Sequence, residues 1–146
     1  MKSKLVWQDK EERTYVLVLE PGEEAFAAIS DFATRNRLSG ASLVAIGAFE
    51  HATVGWFDLR RKDYKPIEIG EQCEALSLVG DIVQGDDGKA SLHIHAVLGL
   101  SNGTTRGGHL LRAIVRPTLE VTIVESPAHL RRRRRPELGL ALIDLD

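Results

Sequence analysis

Glu74-Ala75-Leu76-Ser77-Leu78-Val79-Gly80-Asp81-Ile82-Val83 and Ala90-Ser91-Leu92-His93-Ile94-His95-Ala96-Val97-Leu98 are two apolar runs separated by Gly85-Asp86-Asp87-Gly88-Lys89. The separator is turn chemistry, so the pattern predicts an antiparallel hairpin with a longer loop. Alternate side chains of a strand share a face, which sends His93 and His95 one way and Leu92, Ile94 and Ala96 the other. That arrangement suits a metal, because two imidazoles arrive already side by side. One more histidine makes a three-ligand set with a fourth position open. His109, after Gly107-Gly108, is the obvious third.

Outward from the hairpin, the chain alternates between strands and one helix. Arg13 to Leu19 is rich in β-branched and aromatic residues and stops at Glu20-Pro21-Gly22. From Glu23 to about Arg37, Phe26, Ile29 and Ala33, with Ala25 and Phe32 alongside, recur at helical spacing and predict one buried stripe. Glu23 and Glu24 stand where the helix dipole favours acid, Arg35 and Arg37 where it favours base, and Gly40 lies just beyond the predicted end. Ser42 to Phe49, His51 to Asp58 and Tyr64 to Ile69 read as strands, with Arg60-Arg61-Lys62-Asp63 as a turn. Asn102-Gly103 marks a second tight turn, and Thr118 to Glu125 a final strand. One helix with seven or eight strands in hairpin order predicts a single α+β domain, built on a strongly curved, mostly antiparallel sheet or open barrel. Its core is expected over about residues 13–125.

With 146 residues and 43% hydrophobic content, the chain has the material for one ordinary core. Its 19 basic and 21 acidic residues leave a net charge of -2, so the overall balance argues for neither nucleic acid nor an anionic membrane surface. One cysteine, Cys73, excludes an internal disulfide and a cysteine-based zinc cluster. No run approaches the length of a membrane span, and the first ten residues hold no apolar signal core. A soluble, cytoplasmic protein with no membrane partner is the expectation.

Several blocks in order carry a resemblance: Ala45-Ile46-Gly47-Ala48, then Glu74 to Gly80, then His93-Ile94-His95-Ala96, Gly107-Gly108-His109-Leu110 and Pro117-Thr118-Leu119-Glu120-Val121. Together they resemble the plant and prokaryote conserved (PPC) domain family, over nearly the whole chain from about Arg13 to Leu142. The resemblance implies a homotrimer of compact α+β subunits. Plant relatives join the domain to AT-hook segments that contact DNA, and this chain has no AT-hook. Prokaryotic members tend to carry the His-x-His and Gly-Gly-His blocks matched here at His93, His95 and His109. The fold is also similar to that of acetolactate decarboxylase, which binds zinc through three histidines; that analogy bears on the metal and not on the reaction.

Imidazole nitrogens without a nearby thiolate favour zinc, and another divalent transition metal suits the same set. The alternative reading keeps the three histidines as hydrogen-bonded polar residues of a sheet. Three readings of function follow. A regulatory or binding module would hold a small anionic molecule at the metal. A zinc-dependent lyase or hydrolase acting on a small carbonyl or carboxylate compound would need a proton carrier and a charge holder, for which Glu74 and Arg106 are the candidates. The alternatives are an exposed strand-end carboxylate at Glu74 and an interface ion pair at Arg106. Gly107 and Gly108 either offer backbone N–H groups to an anion or permit close packing. Ser77 reads as a core hydroxyl, and His51 and His129 as residues outside the site. The third reading rests on Arg131-Arg132-Arg133-Arg134-Arg135. Five adjacent arginines suit nucleic-acid phosphates, but no aromatic residue interleaves them, and a solvated loop is the alternative.

Overall fold

The computed structural model describes residues 1–126 and 128–146. Among them are one helix and nine strands of a single sheet: β1 (Lys2–Asp9), β2 (Glu12–Leu19), α1 (Ala25–Arg35), β3 (Gly40–Asp58), β4 (Asp63–Ile69), β5 (Cys73–Gln84), β6 (Ala90–Gly99), β7 (Thr105–Glu125), β8 (Arg131–Arg135) and β9 (Leu140–Asp144). The curved antiparallel sheet predicted from the hairpin pattern is present, and it closes. β3 pairs with β5, β5 with β6, β6 with β7, and β7 with β3 again, so four strands form a ring. Closure removes the free edges of these strands.

The ring is filled from the inward pleat positions. Phe49, Leu43, Leu78, Ile82, Ile94, Leu98, Leu119 and Ile123 are fully or almost fully buried. Each such side chain contributes roughly 1.5–3 kcal/mol on leaving water. α1 lays Ala25, Ile29, Phe32 and Ala33 on the core, and Phe32 meets Tyr15 of β2 edge to face at 5.2 Å.

Several boundaries differ from expectation for identifiable reasons. The helix begins at Ala25 rather than Glu23, because Glu24 is its cap: the carboxylate accepts from the backbone N–H groups of Phe26 (3.2 Å) and Ala27 (2.7 Å). Glu23 is drawn away to the amino terminus at 2.8 Å. At the other end, Arg37 takes the left-handed turn (φ 55°) and Leu38 N–H donates to Ala33 O, leaving Gly40 to open β3. The two strands expected at 42–49 and 51–58 are one bent strand, with pairing irregularities around Gly47. Gly47 has φ 153°, and a Cβ there would lie 2.2 Å from Thr118 O. The last expected strand, Thr118–Glu125, is the second half of the 21-residue β7.

β1, the first half of β7, β8 and β9 escaped the pattern. β1 is exposed along its length and carries no buried alternation to read; its pairing with β2 makes it a strand. The five arginines are not a solvated loop. They form β8, paired residue for residue with β9 from Arg131↔Asp144 to Arg135↔Leu140. No helix among the described residues is long and apolar enough to cross a membrane.

Candidate metal centre

His93 and His95 lie on β6 with Leu92, Ile94 and Ala96 buried beneath them. β7 returns antiparallel to β6 and sets His109 directly opposite His95. The pleat and this register bring the three rings together, with centroids 4.9 Å (93 to 95), 5.1 Å (93 to 109) and 5.7 Å (95 to 109) apart. One nitrogen from each lies within 4.8 Å of the other two. The Nε2 atoms of His93 and His95 are 3.1 Å apart. Nitrogens bound to one tetrahedral zinc at about 2.0–2.1 Å stand about 3.3 Å from each other, so the His93–His95 pair is already at ligand spacing and His109 would close in on them. His109 Nδ1 is buried and has no hydrogen-bond partner among the described residues. A buried imidazole nitrogen without a partner is costly, and both observations fit a metal.

The electrostatics point the same way. Burial, followed by the neighbouring His93, His95 and Arg132, pushes the His109 imidazolium down to about 4. His93 is also lowered, by burial first and then by His95 and Arg132, against an opposing pull from Asp81. Both rings are therefore neutral at pH 7, the form that ligates a metal.

Around the cluster stand residues that spacing did not reveal. Tyr64 of β4 stacks on His109 at 4.6 Å and 22°. Gly55, opposite His109 in β3, makes the room: a Cβ there would lie 2.7 Å from the Tyr64 ring. Asp81 of β5 faces His93 across the pair, with Oδ2 4.0 Å from His93 Nδ1. Its Oδ1 accepts from Arg132 Nη2, while Arg132 Nη1 donates to the carbonyl (3.2 Å) and hydroxyl (3.1 Å) of Ser91. Arg132 is 5% exposed, the one buried charged residue among those described. Asp81 had a signal in the sequence, as a charge in the middle of an apolar run. Arg132 had none beyond membership of the run.

The expected helpers are placed elsewhere. Glu74 pairs with Gly99 at the far end of the β5–β6 hairpin, seven residues or about 23 Å along the strand from Asp81. It lines a separate cavity with Ile46, Leu76 and Glu120, away from the histidines of its own subunit. Arg106 is exposed opposite Leu98, and three positions from His109 the pleat turns it to the other face. Gly107 and Gly108 serve close strand packing, since added Cβ atoms would lie 2.9 Å from Ala96 O and 2.6 Å from Gly55 O. His51 approaches Glu50, and His129 bonds Ser39; both are outside the cluster. Of the arginine run, Arg133 and Arg135 pair with Asp144 at 3.0 and 3.4 Å, and the Arg134 backbone N–H bonds Asp86. Arg131 is exposed.

The histidines open into a cavity of 570 Å³ whose walls include Trp56, Phe57, Tyr64, Leu140, Leu142 and Arg132. That volume suits a small molecule.

The sequence profile of the Plants and Prokaryotes Conserved (PCC) domain matches residues 8–127. A plant- and prokaryote-conserved protein of Pyrococcus horikoshii superimposes with a TM-score of 0.85 at 30% identity, covering 90% of this chain and 91% of that one. A metal-containing protein of Archaeoglobus fulgidus does so with 0.82 at 31%, covering 97% and 98%. A candidate DNA-binding protein of Ralstonia eutropha JMP134 gives 0.83 at 29%, over 90% and 91%. The bifunctional protein GlmU of Synechococcus sp. (strain JA-3-3Ab) is 30% identical over 135 residues; the match covers 91% of this chain and 20% of that protein's length.

Proposed function

Because the chain belongs to the Plants and Prokaryotes Conserved domain family, with a three-histidine cluster at the floor of an open cavity, we propose that it is a metal-centred binding module for a small anionic molecule. The observation that carries this reading is the convergence of His93, His95 and His109 within 4.8 Å. Zinc is the metal that three neutral imidazoles favour. A metal so held offers an open position to an oxygen of the ligand. The chain's own residues do the rest: Tyr64 fixes the His109 ring by stacking, Asp81 faces the outer nitrogen of His93, and Arg132 anchors Asp81. Within one subunit Glu74 stands away from the histidines, so the lyase or hydrolase reading needs a proton carrier from elsewhere. The metal-containing Archaeoglobus relative supports a metal here.

The proposal includes a homotrimer. Val44, Ile46, Leu76, Val79 and Val97 are each 44–63% exposed on the outer face of the ring. Val44 pairs with Val79, and Val79 with His95, so this apolar patch adjoins the histidines. An exposed patch of this kind favours self-association. A monomer mass at micromolar concentration would remove this part of the proposal.

One observation favours a nucleic-acid partner as the second reading. The turn Arg60-Arg61-Lys62 packs on the β8–β9 turn, with Lys62 Nζ donating to Pro136 O at 3.5 Å, and thus gathers two basic segments. Retention on DNA that falls steeply with salt, and vanishes when Arg60, Arg61 and Arg131 become Ser, would support it.

The deciding experiment is elemental mass spectrometry of the purified protein. About one zinc per subunit, lost in His93→Ala and in His109→Ala, supports the metal centre. No metal after incubation with zinc overturns it.

A further inference from the structure

The walls of the histidine cavity hold a second piece of chemistry. Trp56 and Phe57 come from the end of β3, Tyr64 from β4, and Leu140 and Leu142 from β9. Phe57 meets Tyr64 edge to face at 5.0 Å, and Tyr64 stacks on His109, so an aromatic wall runs from the mouth of the cavity to a candidate ligand ring. Trp56, opposite Lys65 and one pleat position from Phe57, also borders the cavity and is 59% exposed. β9 lies beyond residue 127, where the family match ends, so part of this wall belongs to a segment outside the shared profile.

The polar groups are few and mostly committed. Among the described residues that line the cavity, Arg132 is the one with a permanent positive charge. Its two Nη atoms are directed at Asp81 and Ser91, and its charge is balanced by the Asp81 carboxylate. A phosphate ester or a polycarboxylate placed here would meet no uncommitted cation among the described residues that line the cavity, and its second charge would lie against aromatic and aliphatic carbon. Such a charge loses its water without compensation. A ligand with one oxygen-bearing head and a carbon body loses little, because its body replaces water on apolar walls.

We infer that this cavity selects a compact monocarboxylate or carbonyl compound with an apolar body, an aromatic one above all, and rejects phosphate esters and polyanions. The head lies over His93, His95 and His109, and the body lies against Phe57 and Tyr64, with Trp56 at the border of the cavity. This inference rests on the metal-centre reading for the head group, and on the wall residues alone for the body.

The test uses the full chain carrying Trp7→Phe. The sequence has two tryptophans, Trp7 and Trp56, so this change leaves Trp56 as the sole tryptophan reporter. Trp7 is 48% exposed on the outer strand β1. The protein is loaded with zinc, its zinc content is measured, and Trp56 emission is titrated with benzoate, acetate, citrate and inorganic phosphate. Thermal shifts of the unsubstituted protein with the same four probes serve as a readout independent of the tryptophan change. The expected result is a saturable response to benzoate at a concentration at least about tenfold below that for acetate, the difference that burial of a ring supplies. Citrate and phosphate give none, and the benzoate response weakens at least about tenfold in His93→Ala. Binding of citrate or phosphate equal to that of benzoate overturns the inference. So does a benzoate response that the loss of zinc leaves unchanged. Zinc present without any benzoate response also overturns it while leaving the metal centre standing; zinc absent after loading refutes the metal centre itself, and the inferred head group with it.

Discussion

The two ends of the β5–β6 hairpin are built from the same kind of strand and do opposite things. At one end, Asp81 faces His93, Val79 faces His95, and Arg132 closes over the carboxylate, so each polar group has a specific neighbour. At the other end, Glu74 faces Gly99, exposed, beside Leu76 and Ile46. The sequence reading takes Glu74 as the candidate carboxylate and passes over Asp81, which stands nearer the turn at 85–89. Register separates them, because in an antiparallel pair each step along one strand is a step in the reverse direction along the other. What lies opposite decides which carboxylate has chemistry to do.

Substitution of the ligands breaks this comparison hardest. His109→Ala should lower zinc affinity by more than the roughly 10–100-fold that loss of an outer partner causes, whereas Glu74→Ala should leave it unchanged. Competition with a chromogenic chelator reads both. Equal losses would mean that the two ends are not functionally distinct.

Arg132→Met is expected to give the next largest effect, on folding rather than on metal. Removing one partner of a buried pair typically costs about 3–5 kcal/mol. The Asp81 side chain is 32% exposed, which lets water compensate it in part and lowers the expectation to about 2–3 kcal/mol. Arg134→Met, on an exposed neighbour in the same run, should stay within about 0.5 kcal/mol. Urea unfolding of the two variants makes the comparison, and similar midpoints would contradict the role assigned to Arg132.

Asp81→Asn keeps the shape of the side chain and removes its charge. Zinc affinity should fall by less than the about 10–100-fold that follows loss of a partner hydrogen-bonded to a ligating imidazole, because Asp81 Oδ2 stands 4.0 Å from His93 Nδ1. Unfolding measured on the metal-free protein separates this from simple destabilisation. A destabilised variant with unchanged zinc affinity would make Asp81 a partner of Arg132 only.

The legible part of the fold was what pleat alternation and turn chemistry write into local sequence. The hairpin, the helix stripe, the facing of His93 with His95 and the choice of His109 as third ligand follow from the sequence pattern, and the resemblance carries the same three histidines. What escaped was set by pairing between distant segments. Arg132 lies among four identical neighbours, and only the β8–β9 register and the proximity of Asp81 distinguish it. Tyr64 looked like the start of a short strand, and its place on His109 depends on a missing side chain at Gly55. β1, with no buried face, is a strand because β2 is beside it.

The smallest expected effect is on pH dependence, and it sharpens the contrast from the side of the free protein. His109 is held down to about 4 by burial and its cationic neighbours, whereas an unfolded histidine titrates near 6.5. Between these values the unfolded chain takes up a proton that the folded chain refuses. Stability of the metal-free protein is therefore full above about pH 6.5 and falls as the pH drops toward 4. Partial exposure of the ring screens the effect, which should be smaller than that of Arg132→Met. The slope between pH 7 and 5, above most carboxylate titrations, is the quantity to measure by urea unfolding. His109→Gln should flatten it, while His129→Gln, on an exposed ring bonded to Ser39, should leave it in place. An unchanged slope in His109→Gln would mean that the ring accepts its proton freely in the folded chain. The cluster would then no longer be held in the neutral form that a metal requires.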